Sequence, residues 1–312
     1  AYHSPAGGFY DFTGPRDLGR LLDEVEAAGL WLIADVGPWI EANLNAGGLP
    51  AWFVNTLGVR PDCASVVPPG PSFAFLRYVR EWWERLFPFF VKRPNLLLIA
   101  VNPGLCAKSD ERLPRYLRAL IETARELGAP GLFAASAHHL TTDSETPTIA
   151  GATILPLHRW NRDTLLDETQ RNGEPKGFHV LETAPPFTRD SENRERLRQQ
   201  LGPEHPRILI SRTLGQGALG YALAPAHTGV NWGYWGTADA CAAHGVGAPL
   251  EEGVALTPAY FHARLLAQTV ETLGNMLVAA QSASTVYATT SRILRATRTA
   301  DATTVALLDT AN

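Results

Sequence analysis

The feature that most constrains this chain is the run Leu96-Leu97-Leu98-Ile99-Ala100-Val101, closed by Asn102 and broken at Pro103-Gly104. Six consecutive apolar residues leave no polar face, so the segment reads as a strand buried on both sides. Such strands belong to parallel sheets covered by helices. The flanking texture agrees. "GPRDLGRLLDEVEAAG" reads as a helix with Pro15 in its first turn and Gly29 at its end, and "LWLIADVG" as the strand after it. "SFAFLRYVREWWERLFPFFVK" and "LPRYLRALIETARELG" are two further helices, placed before and after the apolar strand. "GLFAASA", "ATILPL" and "FHVLETA" read as strands, followed by "ILISRTL" or "LGYALA", with Pro203 to Pro206 as a surface loop. "TPAYFHARLLAQTVETLG" is a late helix. Alternating strand and helix argues for an α/β fold with a parallel sheet, of about six strands after residue 30. After Gly274 the chain turns rich in Thr and Val and reads as β-strands of a second domain.

Composition narrows the function. Of 312 residues, 45% are hydrophobic and 19% charged, the balance of a folded chain rather than a disordered one. The net charge of −4 without a basic tract argues against nucleic acid as a partner. No apolar run reaches the ~18 residues of a membrane span. Cys63, Cys106 and Cys241 are widely spaced, giving neither zinc spacing nor a disulfide framework. No metal and no cofactor is expected. The chain opens at Ala1 without a leader and reads as a cut start, processed or truncated, so its location stays open, with secretion as one reading.

Four stretches carry a resemblance. "VGPWIEANLNAGGLPAWF" is similar to the G-P-Y-I-x-A-E-x-x-x-G-G-x-P-x-W segment of family 35 glycoside hydrolases, the β-galactosidases. "HSPAGGFYDFTGPRDL" resembles that family's H-x-P-x-x-G-x-Y-D-F-x-G-x-x-D-L, "HTGVNWG" its G-G-T-N-W-G, and "GAPLEEG" its D-A-P-L-x-E-x-G. The resemblance implies a TIM (β/α)8-type barrel incomplete at its start over residues 1–274, with 275–312 beginning a C-terminal β-rich domain. It implies retaining hydrolysis of a β-galactoside or other glycan, by two carboxyl groups about 5–5.5 Å apart at strand C-termini.

The same resemblance marks departures. Asn102 takes the place of Gln in the family's Q-x-E-N-E-Y, so Gly104, Leu105, Cys106 and Ala107 stand where E-N-E-Y would be. The acid/base carboxylate is absent from those motif positions, and a thiol is a poor general acid for a sugar oxygen. Cys106 reads more plainly as a buried, inert residue. Asn43 stands in the place of a substrate-contacting Glu, Asp35 in that of an Arg, and His244 near that of a Tyr. Glu182 ends its strand at the nucleophile's place, or is simply a surface Glu at a strand end. Glu41, two residues before Asn43, is either a relocated carboxylate or a structural one. Trp39, Glu41, Asn43, Asn102 and Trp232 are the expected substrate-binding set. Trp160, Trp232 and Trp235 read equally as sugar-stacking platforms or as core. The adjacent His138 and His139, with His158, read as loop or strand-end residues and not as a shared metal site. Three readings result: a β-galactosidase-like hydrolase that is weak or inactive as written, a catalytically silent carbohydrate-binding barrel, or a truncated, decayed copy.

Overall fold

The computed structural model describes residues 2–40, 45–57, 73–102, 113–129, 132–136, 148–149, 152–160, 178–182, 202–215, 218, 220–224, 226–227, 229–230, 243–244, 248–251, 255–279, 281–283, 293–300 and 303–310. The chain forms two compact units, one of residues 1–156 and 232–238, the other of 157–231 and 239–312.

In the first unit, helix α1 (Leu18–Ala27) starts where Asp17 Oδ1 accepts from the Arg20 N–H at 2.9 Å, which satisfies one of the unpaired donors of the first turn. Pro15 sits in the short 3-10 turn just before it. The helix stops at Gly29, whose φ of 68° suits a residue without a Cβ. Its apolar stripe is only partly used: Leu22 is buried, while Leu21 stands 58% exposed. Much of its attachment is polar. Arg93 donates to Asp23 at 2.6 Å, to Glu26 at 3.1 Å and to the carbonyls of Phe89 and Gly19.

Strand β1 (Leu32–Pro38) pairs in parallel with β2 (Leu96–Asn102), and β2 in parallel with β3 (Phe133–Ser136). The expectation for the apolar run holds for Leu98, Ile99, Ala100 and Val101, all buried, but not for Leu97, which is 41% exposed. A seven-residue helix, α2 (Ala51–Leu57), comes directly after Pro50. Helix α3 (Phe73–Leu86) buries Phe75, Val79, Trp83 and Leu86 at helical spacing, and α4 (Leu113–Glu126) buries Tyr116, Leu117, Leu120, Ile121 and Ala124. These residues form one core with Val36, Ile99, Val101 and Phe133. Each large apolar side chain so covered contributes roughly 1.5–3 kcal/mol against exposure. Among the described strands β1 pairs on one side only. Its Val36 carbonyl is not left bare, because the buried Trp83 indole N–H donates to it at 2.9 Å. β4 (Thr148–Ile149) forms a short antiparallel pair with the start of β5 (Ala152–Trp160).

In the second unit, residues Leu157–Trp160 of β5 pair in parallel with β6 (Phe178–Glu182), and β6 in parallel with β7 (Gly220–Ala224). The sequence left a choice between "ILISRTL" and "LGYALA" for the strand. The structure takes the second and makes the first part of helix α5 (His205–Gly215). Leu209, Ile210, Thr213 and Leu214 are buried at spacings of one, three and four, a helical stripe that a short apolar run conceals. The expected surface loop over Pro203 to Pro206 is corrected with it. Pro206 lies in the first helical turn and is buried, as is His205. Helix α6 (Pro258–Ala279) packs Leu266 against Leu181, Leu209, Ile210 and Leu214. β8 (Gly229–Val230) pairs with β9 (Ala243–His244), and β10 (Gln281–Ala283), β11 (Ile293–Ala300) and β12 (Thr303–Thr310) form an antiparallel sheet. The strands read from the Thr- and Val-rich tail are therefore present.

Candidate strand-end site

Parallel strands present their C-terminal ends on one side, and in such sheets the loops there carry the chemistry. In the first unit β1 ends at Gly37-Pro38, a cis peptide, with Pro38 in register with Asn102 at the end of β2. The Trp39 N–H donates to the Asn102 carbonyl at 3.2 Å, and the Gly37 N–H to Asp35 Oδ1 at 3.0 Å. The chain then returns through a 3-10 turn, Asn45–Gly48, and the Ile40 N–H donates to the Gly47 carbonyl at 2.8 Å. Gly47 lies flat on the Trp39 indole, and a Cβ there would come within 2.5 Å of Cζ2 and closer still to Cδ2 and Cε2. Trp39 is 3% exposed and Asn102 8%, so both form the floor beneath the strand ends.

The other motif that carried the resemblance, around His3 and Asp11, folds into a polar knot. The Asp11 N–H donates to the His3 carbonyl at 2.8 Å, and the His3 ring nitrogen Nδ1 lies 3.0 Å from the Asp11 carbonyl. A carbonyl only accepts, so Nδ1 carries the proton and Nε2 is left as an acceptor in the neutral ring. Burial holds the His3 pKa below its ordinary value. The Asp11 carboxylate accepts from the Thr13 N–H and hydroxyl at 3.0 and 2.7 Å and from Arg16 at 2.6 Å. Those Thr13 bonds first, then Arg16, keep its pKa low. Phe12 stacks on His3 at 4.8 Å, and the Tyr10 hydroxyl donates to Glu81 on α3 at 3.1 Å. Burial, reinforced by that Glu81, pushes the Tyr10 pKa up to about 12.

Of the residues expected at the site, Trp39 and Asn102 are joined through the backbone of the strand ends. Glu182 is the last residue of β6, in register with Ala224 of β7 and directly after the buried Leu181. It therefore closes a parallel strand at its C-terminal end, in the second unit. Glu41, Asn43, Cys106, Trp232 and Trp235 lie outside the described residues, as do His138 and His139. His158 and Trp160 lie within β5. Among the described residues no group of three His, Cys, Asp or Glu could hold a metal ion, and no helix is long and apolar enough to cross a membrane. Sequence reasoning missed a cavity beside β1, lined by Ser4, Trp52 and Trp82 among others. Its one legible signal was the aromatic density of "EWWERLFPFF".

Residues 1–98 match the family model described as glycosyl hydrolases family 35, so the resemblance to that family holds over this stretch. A β-galactosidase-1-like protein of Mus musculus is 30% identical over 126 residues, covering 38% of this chain and 18% of its own length. β-Galactosidase-1-like protein 2 of Homo sapiens is 38% identical over 122 residues, 38% of this chain and 19% of its own. An exo-β-D-glucosaminidase of Pyrococcus horikoshii is 30% identical over 105 residues, 28% of this chain and 13% of its own. The matched stretches thus span less than a fifth of each relative. Among solved structures, endo-glycoceramidase II of Rhodococcus sp. in its lactosyl-enzyme intermediate aligns at a TM-score of 0.45 with 15% identity, over 96% of this chain and 74% of that one.

Proposed function

Taking the match of residues 1–98 to family 35 as the premise, we propose that the chain carries a β-galactosidase-like glycoside hydrolase fold, a (β/α) barrel in part, whose site takes a β-galactoside. The observation that carries this reading is the backbone bond from Trp39 to Asn102. It ties the segment with the most specific family motif to the end of the strand whose next loop holds the acid/base in that family. Glu182 closes β6 at a strand's C-terminal end, which supports reading it as the nucleophile.

The chemistry then turns on the loop after Asn102. A retaining hydrolase needs one carboxylate to attack the anomeric carbon and a second to protonate the departing oxygen and later to activate water. Pro103, Gly104, Leu105, Cys106 and Ala107 supply no carboxylate. General acid catalysis is worth typically 10²–10⁴-fold. Glu182 alone retains attack on a substrate whose leaving group needs no proton, but water activation in the second step stays weak. The chain is therefore weak or silent as a hydrolase while it keeps a glycan-binding cleft.

The test compares hydrolysis of a nitrophenyl β-galactoside with that of lactose, by the parent chain and by Cys106→Glu. The expected result is slow release of nitrophenol, negligible cleavage of lactose, and a gain on lactose in the variant. Rapid lactose cleavage by the parent would overturn the reading and point to Glu41 as the acid. A second observable, binding of galactose to the parent, separates a silent binding protein from an inert chain.

A further inference from the structure

β1 stands at the end of its sheet, paired with β2 and with no other described strand. A cavity of about 330 Å3 lies beside it in the first unit, and both Asp35 and Val36 line that cavity. Adjacent residues of a strand point to opposite faces of the sheet. Val36 belongs to the helix-covered core, and Asp35 is exposed on the other face. A space bounded by both therefore reaches round the outer edge of the strand.

The space has the proportions of extended chain. Phe75, Tyr78, Val79, Trp82 and Leu86 form its α3 wall. At about 1.5 Å per residue this stripe runs about 16 Å, the span of roughly five residues of strand. β1 offers a matching length from Leu32 to Val36, before Pro38, which has no N–H to give. Leu18 of α1 also lines the cavity, so helical side chains already cover the place where a further strand would lie. The main chain agrees. The Leu32 N–H donates at 2.8 Å to the Asn95 carbonyl, directly before β2. Alternation along the strand then turns the main-chain groups of Ile33 to the outer edge, where no described residue meets them.

We propose that this edge docks an extended polypeptide strand, which pairs with β1 on the side away from β2 and lays apolar side chains against α3. An edge strand is a template for such addition, with main-chain bonds giving affinity and side-chain pockets giving selection. The two parts of the surface choose this partner together. A small apolar molecule would cover the α3 wall but leave the Ile33 main chain unpaired. A wholly polar strand would pair but leave the apolar wall uncovered. An extended segment with apolar residues at alternate positions meets both. No Lys or Arg is among the described residues of the wall, so an acidic segment finds no partner there. The inference does not depend on the glycosidase reading.

The test is fluorescence anisotropy of the whole chain with a labelled peptide of alternating valine and threonine, closed by a lysine at each end for solubility. The control is the same peptide N-methylated at alternate residues, which keeps its side chains but cannot donate along one edge. We expect the first peptide to bind with a Kd on the order of 10⁻⁴ M and the control at least about 10-fold more weakly. Ile33→Pro removes an outward N–H and spares the ladder to β2, so it should weaken the first peptide by about 3- to 10-fold. Val79→Trp, which fills the cavity from α3, should abolish binding while near-UV circular dichroism shows the fold retained. Hydrogen exchange on the parent chain needs no variant: the Ile33 amide should slow about 10-fold in about 1 mM peptide. No binding up to about 1 mM, equal binding of the N-methylated control, or an unchanged Ile33 exchange rate would each overturn the proposal. A parent dimer that Ile33→Pro converts to monomer would also overturn it, by giving the edge to a second copy.

Discussion

Gly47→Ala offers a quantitative probe of the strand-end floor. Two costs combine at this position. Gly47 has a φ of 61°, where an L-residue with a Cβ pays about 1–2 kcal/mol. The added methyl would also sit inside the Trp39 ring, within 2.5 Å of Cζ2. Trp39 is buried and cannot swing into solvent, so either the ring or the Asn45–Gly48 turn must move. Overpacking of this kind costs typically 1–3 kcal/mol. The sum is about 2–5 kcal/mol, or a fall of roughly 2–4 °C in melting temperature per kcal/mol for a unit of this size. Gly29→Ala is the internal control. Its φ is 68°, but a Cβ there meets nothing within 4 Å, so it pays the backbone cost alone. Urea unfolding of both variants, and of each in a Trp39→Phe background, isolates the contact. The smaller ring should recover part of the Gly47→Ala loss and none of the Gly29→Ala loss, a coupling of about 1–2 kcal/mol. Equal losses for the two glycine variants, or zero coupling, would refute the packing of Gly47 on Trp39.

Trp83→Phe removes the indole N–H that satisfies the Val36 carbonyl inside the core. A loss of about 1–3 kcal/mol in urea unfolding is expected, and one under ~0.5 kcal/mol would mean that the carbonyl has another donor. Tyr10 gives a pH signature. Its pKa rises from 10.0 to about 12 on folding, by burial first and then by the bond to Glu81. The folded state thus keeps a proton that the unfolded state loses, so this contribution is complete below pH 10 and disappears as pH rises through about 12. Tyr10→Phe should flatten the decline of stability over that window. A parent and variant with parallel profiles would count against the buried hydroxyl.

Much of the architecture was legible because helix and strand periods differ. The run at 96–101 is six residues long and closed by Pro103-Gly104, a length that suits a strand, and Leu117, Leu120, Ile121 and Ala124 repeat at helical spacing. The failure at "ILISRTL" has the same physics behind it. Five apolar or β-branched residues in seven fit either period, and the packing of Leu209 and Ile210 on Leu181 and Leu266 decides between them. Helix α2 went unread because its seven residues give barely two turns. Motif spacing put Trp39 and Asn102 at the ends of β1 and β2, and Glu182 at the end of β6, since each sits at a boundary that the pattern marks. The cavity was invisible for a different reason. Its walls come from residues 2–18, 35–53 and 75–90, and no local pattern announces that they close around one space.

Arg93 carries a consequence beyond attachment. Its side chain is largely covered, at 15% exposure, while those of its partners Asp23 and Glu26 remain 73% and 41% exposed. α1 thus has one buried anchor, Leu22, and a set of wet ion pairs whose strength depends on the ions around it. Such an element has an opening free energy below that of the core it rests on. Raising the ionic strength should therefore loosen the hold of Arg93 on α1, while Leu22 keeps the helix packed in one core with Trp83, Ile99 and Phe133.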